Sequence, residues 1–70
     1  MKYLVILEKT STGYSAYSPD LPGCISTGQT REETEANMQE AIEFHIEGLQ
    51  LAGSPVPEPN SISAYVELAA

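Results

Sequence analysis

The sequence has few of the residues that cross-link a small domain. Its 70 residues include one cysteine, one histidine and no tryptophan. One cysteine cannot form a disulfide within the chain, and no cluster of cysteine and histidine offers a structural metal site. A fold of this size buries only about 60% of its unfolded surface. Because such links are missing, we expect added stability from self-association, as a homo-oligomer such as a dimer or tetramer.

Basic residues are also scarce. Three lysines and arginines stand against ten aspartates and glutamates, which gives a net charge of −7. A surface that tracks phosphates needs a basic stripe, so direct binding to nucleic acid is not expected. The acidity has two interpretations that the composition leaves open. It keeps a small protein soluble, or it steers a basic protein partner into place.

Long hydrophobic runs are absent. The opening residues, 1–8, contain too short an apolar stretch for a signal peptide and lead directly into a hairpin pattern. No segment approaches the roughly 20 apolar residues that cross a bilayer, so no membrane association is expected. A lone cysteine fits a reducing compartment, and we therefore predict a cytoplasmic protein.

The first part of the chain has the pattern of three short strands. Residues 2–9 contain a Tyr-Leu-Val-Ile-Leu run with apolar side chains on both faces, as in a central strand, and residues 14–18 follow a polar loop that ends in glycine. Prolines close this second strand, and the Asp20 carboxylate is expected to cap the turn. Residues 24–27 form the third predicted strand. Such short connections predict an antiparallel meander.

A long helix follows. Thr30 and Glu33 match a capping box, and Gly53 provides a stop, so we predict a helix over residues 31–52. Phe44 and Leu51 fall outside its apolar stripe and are expected to be exposed. The stripe itself is predicted to pack on the sheet and comprises Thr34, Met38, Ala41, Ile42, His45, Leu49 and Ala52.

A proline-rich connector, residues 54–60, leads to a second alternating segment at residues 62–68. A strand reached through a helix lies parallel to an earlier strand by a right-handed crossover. We therefore predict one α+β domain over residues 1–70. Its order is β-β-β-α-β, with a four-stranded mixed sheet of order 3-2-1-4 and one helix on one face.

Residues for catalysis are not grouped in the sequence. His45 lies on the predicted core stripe, and Cys24 has no nearby cation to lower its pKa, so both are expected to be structural. Glycine spacings of phosphate-binding loops do not occur, and no cofactor is expected. Six of the ten acidic residues lie on the predicted helix, as on a solvated face, rather than converging on a metal. We predict a protein that is not an enzyme.

The chain resembles the HicB-like antitoxins over nearly its whole length. The residues that carry the resemblance are Asp20-Leu21-Pro22-Gly23-Cys24, then Gly28, Thr30, Glu32-Glu33, Asn37 and Glu40-Ala41-Ile42. The resemblance implies a reduced RNase H-like fold that lacks the acidic cluster of the nucleases. It also implies binding to HicA, a small basic toxin that cleaves mRNA. Many members carry a further DNA-binding segment; none follows here, so operator binding is not expected.

The expected partner surface combines charge with apolar anchors. Glu40, Glu43 and Glu47 would steer a basic partner, and Phe44 and Leu51 would anchor it. The same two apolar residues also suit a homodimer contact, and this alternative stays open. Further candidates lie on the open face of the sheet, at Tyr17 and Tyr65. Two other functions remain as alternatives: a homo-oligomeric structural domain without a toxin, and a residual RNase H-like, metal-dependent nuclease.

Overall fold

The computed structural model describes residues 1–69. Strands β1 (Ile6–Lys9), β2 (Tyr14–Tyr17) and β3 (Ile25–Gly28) precede one long helix, α1 (Arg31–Leu51). The strands form an antiparallel sheet of order β1-β2-β3. The α+β class, the meander and the following helix are therefore confirmed.

The hairpin between β1 and β2 closes with a hydrogen bond from the Thr10 backbone N–H to the Gly13 carbonyl at 2.8 Å. The first strand is shorter than predicted, because its pairing begins only at Ile6, opposite Tyr17. Beyond Tyr17 the second strand turns away at Pro19, which has no N–H to donate to a ladder. Residues 2–5 therefore precede β1 without a strand partner in the described part of the chain.

Both ends of α1 follow the predicted signals. The Thr30 side chain accepts a hydrogen bond from the Glu33 backbone N–H at 3.0 Å, which is one half of a capping box. At the other end Gly53 has φ +70°, and its N–H donates to the Gln50 carbonyl at 3.1 Å. The Ser54 N–H donates to the Leu49 carbonyl at 2.9 Å, which completes a Schellman motif.

The core lies where α1 crosses β2 and β3. Leu21 and Met38 are 0% and 1% exposed, and the neighbouring side chains of Ala16, Cys24 and Thr34 are also buried. A Cβ on Gly28 would lie 2.6 Å from Thr34 Oγ1 and 2.8 Å from the Thr34 nitrogen. Glycine is therefore required where β3 meets the helix. This close approach seats the first turns of α1 on the sheet.

The predicted apolar stripe is buried at one end and half-buried at the other. Thr34 and Met38 are buried, whereas His45 and Leu49 are only half-buried. Ala52 is exposed, because the helix ends at Leu51 and Ala52 serves as its C-cap. The helix thus packs tightly over β3 and β2 and less tightly towards its carboxyl end.

The predicted fourth strand is not part of this chain's sheet. Residues 62–69 pair with no strand in the part of the chain that the structure describes, so the order 3-2-1-4 is not formed within one chain. Hydrogen bonds hold the residue that precedes this segment. Ser61 donates two hydrogen bonds to the Asp20 carboxylate in the loop between β2 and β3, which fixes the start of this segment at that loop. We call residues 62–69 the arm.

The arm makes the molecule long. The principal extents are 49 × 26 × 16 Å, and the radius of gyration is 13.8 Å. A compact domain of this length has a radius of gyration of about 11 Å. The difference arises because the arm projects from the packed body instead of lying on it.

Candidate protein-binding surfaces

The predicted partner residues on α1 form an exposed strip. Phe44 and Leu51 are 79% and 82% exposed, so two large apolar side chains face water on the side of the helix away from the core. The three predicted acidic residues are exposed beside them: Glu40, Glu43 and Glu47. We call these five residues the outer strip. The structure brings all five together on one helix face, as the spacing predicts.

The helix is strongly acidic along its length. It carries six glutamates and a single arginine. Arg31 is engaged by Glu35, with the Arg31 Nε to Glu35 Oε1 distance at 3.1 Å. This hydrogen bond and the carboxylate's charge raise the pKa of Arg31 above its usual range. Because Arg31 lies in the first turn, it does not neutralise the outer strip two or more turns away.

The two tyrosines predicted as weaker candidates lie elsewhere. Tyr17 is on β2, half-exposed, and its cross-strand neighbour Ile25 is also exposed. Tyr65 is on the arm and is fully exposed. Because the arm does not join the sheet, the structure does not unite Tyr17 and Tyr65 on one sheet face. Neither tyrosine belongs to the outer strip.

A groove lies between the first five residues and α1. Its volume is about 700 Å³, and its floor is apolar, with Tyr3 and Val5 on one side and Ile46 on the helix side. The full lining is Met1, Tyr3, Val5, Glu35, Met38, Gln39, Ile42, Glu43, Ile46, Glu47 and Gln50. Sequence reasoning missed this groove. The available signal was Ile46, an apolar residue beside the core stripe.

Two tethers hold the connector against the body. The Tyr3 hydroxyl donates to the Pro57 carbonyl at 2.6 Å. The Ser61 N–H and hydroxyl donate to the two Asp20 carboxylate oxygens at 3.0 and 2.9 Å. Asp20 therefore binds a residue 41 positions away, where the sequence predicted a cap of its own turn. The local turn uses backbone bonds instead, from Leu21 to the Ser18 carbonyl and from Cys24 to the Leu21 carbonyl.

The residues considered for catalysis are dispersed. Cys24 is 4% exposed, and burial raises the pKa of its thiol, so the less reactive protonated form is favoured. His45 is half-buried on α1. Among residues 1–69, no group of three or more histidine, cysteine, aspartate or glutamate side chains is placed to hold a metal ion. No helix in the same range has the length and apolar character to cross a membrane.

Comparison with protein families identifies the domain. The family described as the HicB-like antitoxin of bacterial toxin–antitoxin systems matches residues 3–69. The chain belongs to this family. The match extends across the sheet, the helix and the arm, so the arm is part of the HicB-like domain.

Individual relatives agree with this assignment. An uncharacterised 14.9 kDa protein of Haemophilus phage HP1 is 42% identical over 94% of this chain, and the chain spans 50% of its length. Antitoxin HicB 2 of Photorhabdus laumondii is 34% identical over 97% of this chain, which spans 57% of that protein. The chain thus covers little more than half of these two relatives.

A solved structure matches the HicB-like fold in three dimensions. A chain of the HicA3 and HicB3 toxin–antitoxin complex superposes with a TM-score of 0.75 and 37% sequence identity. The match covers 86% of this chain and 70% of that one. The resemblance to the HicB-like family that the sequence indicates is therefore confirmed.

Proposed function

We propose that this HicB-like chain is an antitoxin module that binds and neutralises a small, basic, mRNA-cleaving toxin of the HicA type. The observation that carries the proposal is the likeness to a chain of the HicA3 and HicB3 complex, at 37% identity and a TM-score of 0.75. The family match over residues 3–69 supports the same function. Inhibition by binding requires no chemistry from the antitoxin, so the proposed role is non-catalytic. The proposed location is the cytoplasm.

The outer strip is the surface that we propose for the toxin. It combines acidic side chains with two exposed apolar ones, Phe44 and Leu51, 79% and 82% exposed. Opposite charges guide the encounter of an acidic antitoxin, of net charge −7, with a basic toxin. Buried aromatic and aliphatic anchors then supply much of the affinity in such interfaces. Tyr17 and Tyr65 are secondary candidates, because they lie on separate surfaces.

We also propose that the domain has the reduced RNase H-like architecture that its family resemblance implies. A meander followed by a helix and an alternating segment supports this topology. The fourth strand would have to join the edge of β1, which carries no strand in one chain. The nuclease alternative gains no support from a metal-binding cluster in residues 1–69.

The proposal is tested by titrating the protein with a purified HicA-type toxin encoded beside its gene, with calorimetry as the readout. We expect a complex, and we expect Phe44→Ala to weaken it by roughly 10–100-fold, since truncating an interface anchor costs about 1.4–2.8 kcal/mol. Ile25→Ala is the matched control. It removes an aliphatic side chain that is 69% exposed on the open face of the sheet, beside Tyr17, and it should leave the affinity unchanged if the toxin binds the outer strip; a loss equal to that of Phe44→Ala would instead favour the Tyr17 surface.

Charge-reversal variants distinguish electrostatic steering of the toxin from its anchoring by apolar side chains. Glu40→Lys on the outer strip should slow association and flatten its dependence on salt, whereas Glu58→Lys in the connector makes the same charge change away from the strip. If no complex forms at micromolar concentration and low salt, the antitoxin function is wrong. If a complex forms and both lysine variants behave alike, the proposed surface is wrong.

A further inference from the structure

Four of the five glycines in the sequence have a structural reason that lies within this chain. Gly23 and Gly53 have φ +82° and +70°, in the left-handed region that favours glycine. A Cβ on Gly13 would collide with the Gly28 carbonyl, and a Cβ on Gly28 would lie 2.6 Å from Thr34 Oγ1. Backbone conformation or the close approach of a neighbouring segment therefore explains these four.

Gly48 has neither reason. It lies inside α1 with ordinary helical geometry, since its φ is not positive and its carbonyl accepts the Ala52 N–H at 3.0 Å. Apart from the adjacent backbone of the helix, an added Cβ would meet nothing within 4 Å. Glycine inside a helix is less favourable than alanine. Gly48 therefore weakens the helix, and no contact among residues 1–69 requires it.

The position of Gly48 places it beside the two apolar residues of the outer strip. Residues three and four apart are neighbours on a helix surface, and Gly48 lies four residues after Phe44 and three before Leu51. Both of these large side chains are exposed, at 79% and 82%. The glycine leaves the helix backbone uncovered next to them. We call Phe44, Gly48 and Leu51 the notch.

The charges around the notch favour a basic occupant. Glu40, Glu43 and Glu47 of the outer strip are exposed beside it. The last turn of α1 carries no basic residue, so no side chain in that turn offsets the negative end of the helix dipole. A second copy of this chain would bring its own net charge of −7 to this acidic surface. Charge complementarity therefore favours a basic protein over a second copy.

We propose that Gly48 is a specificity-determining residue for the toxin, because a segment of the basic toxin packs directly against the helix backbone in the notch. Glycine permits this approach, since a Cβ would occupy the space that the toxin segment fills. Phe44 and Leu51 then contact the same segment from one side. This inference rests on the proposed antitoxin function and adds the residue at which the toxin approaches most closely.

The test measures stability and affinity on the same variants, because the two are expected to change in opposite directions. Gly48→Ala should raise the midpoint of thermal unfolding of the free protein by up to about 8 °C, since alanine is the better helix former. The same variant should weaken toxin binding in calorimetry by roughly 10-fold, and Gly48→Leu by roughly 100-fold, because both overfill a close contact. The loss should appear as faster dissociation of the complex.

Ala36→Leu is the matched control. Ala36 is also small, exposed and on α1, and it lies outside the outer strip, twelve residues before Gly48. That separation is about 18 Å along the helix axis. Leucine at either position adds an apolar side chain to the helix surface, but Ala36→Leu should change the affinity for the toxin by no more than about twofold. A loss with Gly48→Leu alone assigns the effect to the notch.

Higher thermal stability together with weaker toxin binding is the expected result. If Gly48→Leu binds the toxin as tightly as wild type while Phe44→Ala weakens the complex, the antitoxin function stands and the role of Gly48 is wrong. The role is also wrong if Gly48→Ala lowers the unfolding midpoint or dissociates an oligomer of the free protein, because a second copy would then fill the notch. Failure of the wild-type protein to form any complex overturns both the antitoxin function and this inference.

Discussion

The arm of this domain is richer in apolar residues than its body, yet only the body buries its apolar side chains. In the body, Leu21 and Met38 are 0% and 1% exposed, whereas in the arm Ile62 is 93% exposed. The arm has as clear an alternation as any strand of the sheet. An alternating pattern therefore predicts which face of a strand is suited to burial, but it does not predict what will cover that face.

The body and the arm differ because their contacting residues lie at different separations in the sequence. The meander and the start of α1 are joined by short turns and by a cap, so their partners are close in sequence. Asn37 Nδ2 donates to the Thr27 carbonyl at 2.9 Å, only ten residues away. The arm must instead find a partner across a 54-residue separation such as that between Tyr3 and Pro57. Closing a longer loop between two contacting residues has a greater entropic cost.

The largest expected effect contrasts a buried with an exposed side chain on the same helix. Met38→Ala should lower the free energy of unfolding by about 2–5 kcal/mol, because it removes a side chain at the centre of the core. Phe44→Ala should change it by less than about 0.5 kcal/mol. Urea denaturation measures both. Equal losses for the two variants would mean that Phe44 is covered in solution, as in a dimer through the outer strip.

The next effect contrasts two glycines. Gly28→Ala should destabilise the fold by about 1–3 kcal/mol, since the new Cβ would lie 2.8 Å from the Thr34 nitrogen. Gly48→Ala should stabilise it by up to about 1 kcal/mol, because the glycine lies within an exposed helix with nothing within 4 Å of the added Cβ. Thermal denaturation reports both changes. A loss of stability with Gly48→Ala would indicate that another chain approaches the helix there.

The smallest effect is expected where the arm joins the body. Asp20→Ala removes two acceptors for Ser61 and should lower the free energy of unfolding by about 1 kcal/mol, since the site is partly solvated. Hydrogen exchange should be faster at the Ser61 amide and unchanged at the Met38 amide. Glu58→Ala, which removes an exposed acid of the connector, is the control. Unaltered exchange at Ser61 would show that the tether does not direct the arm.

Much of the fold was predictable because its signals are local. Thr30 caps α1 and Gly53 ends it, as the sequence predicts, and Cys24 is buried. Exposure of Phe44 and Leu51 followed from helical periodicity. The role of Asp20 was not predictable, because a turn aspartate accepts hydrogen bonds equally well from its neighbours or from a distant segment. The groove was not predicted from the sequence because it depends on where β2 stops pairing with β1.

The amino-acid sequence by itself determined the order of the elements, the ends of the helix and the acidic, apolar outer strip. It did so because caps, turns and periodicity act within a few residues. The tertiary structure alone decided that the last alternating segment leaves the sheet of its own chain. Two hydrogen bonds to Asp20, distant in sequence, hold Ser61 at the loop between β2 and β3, and the groove between the first five residues and α1 stays open.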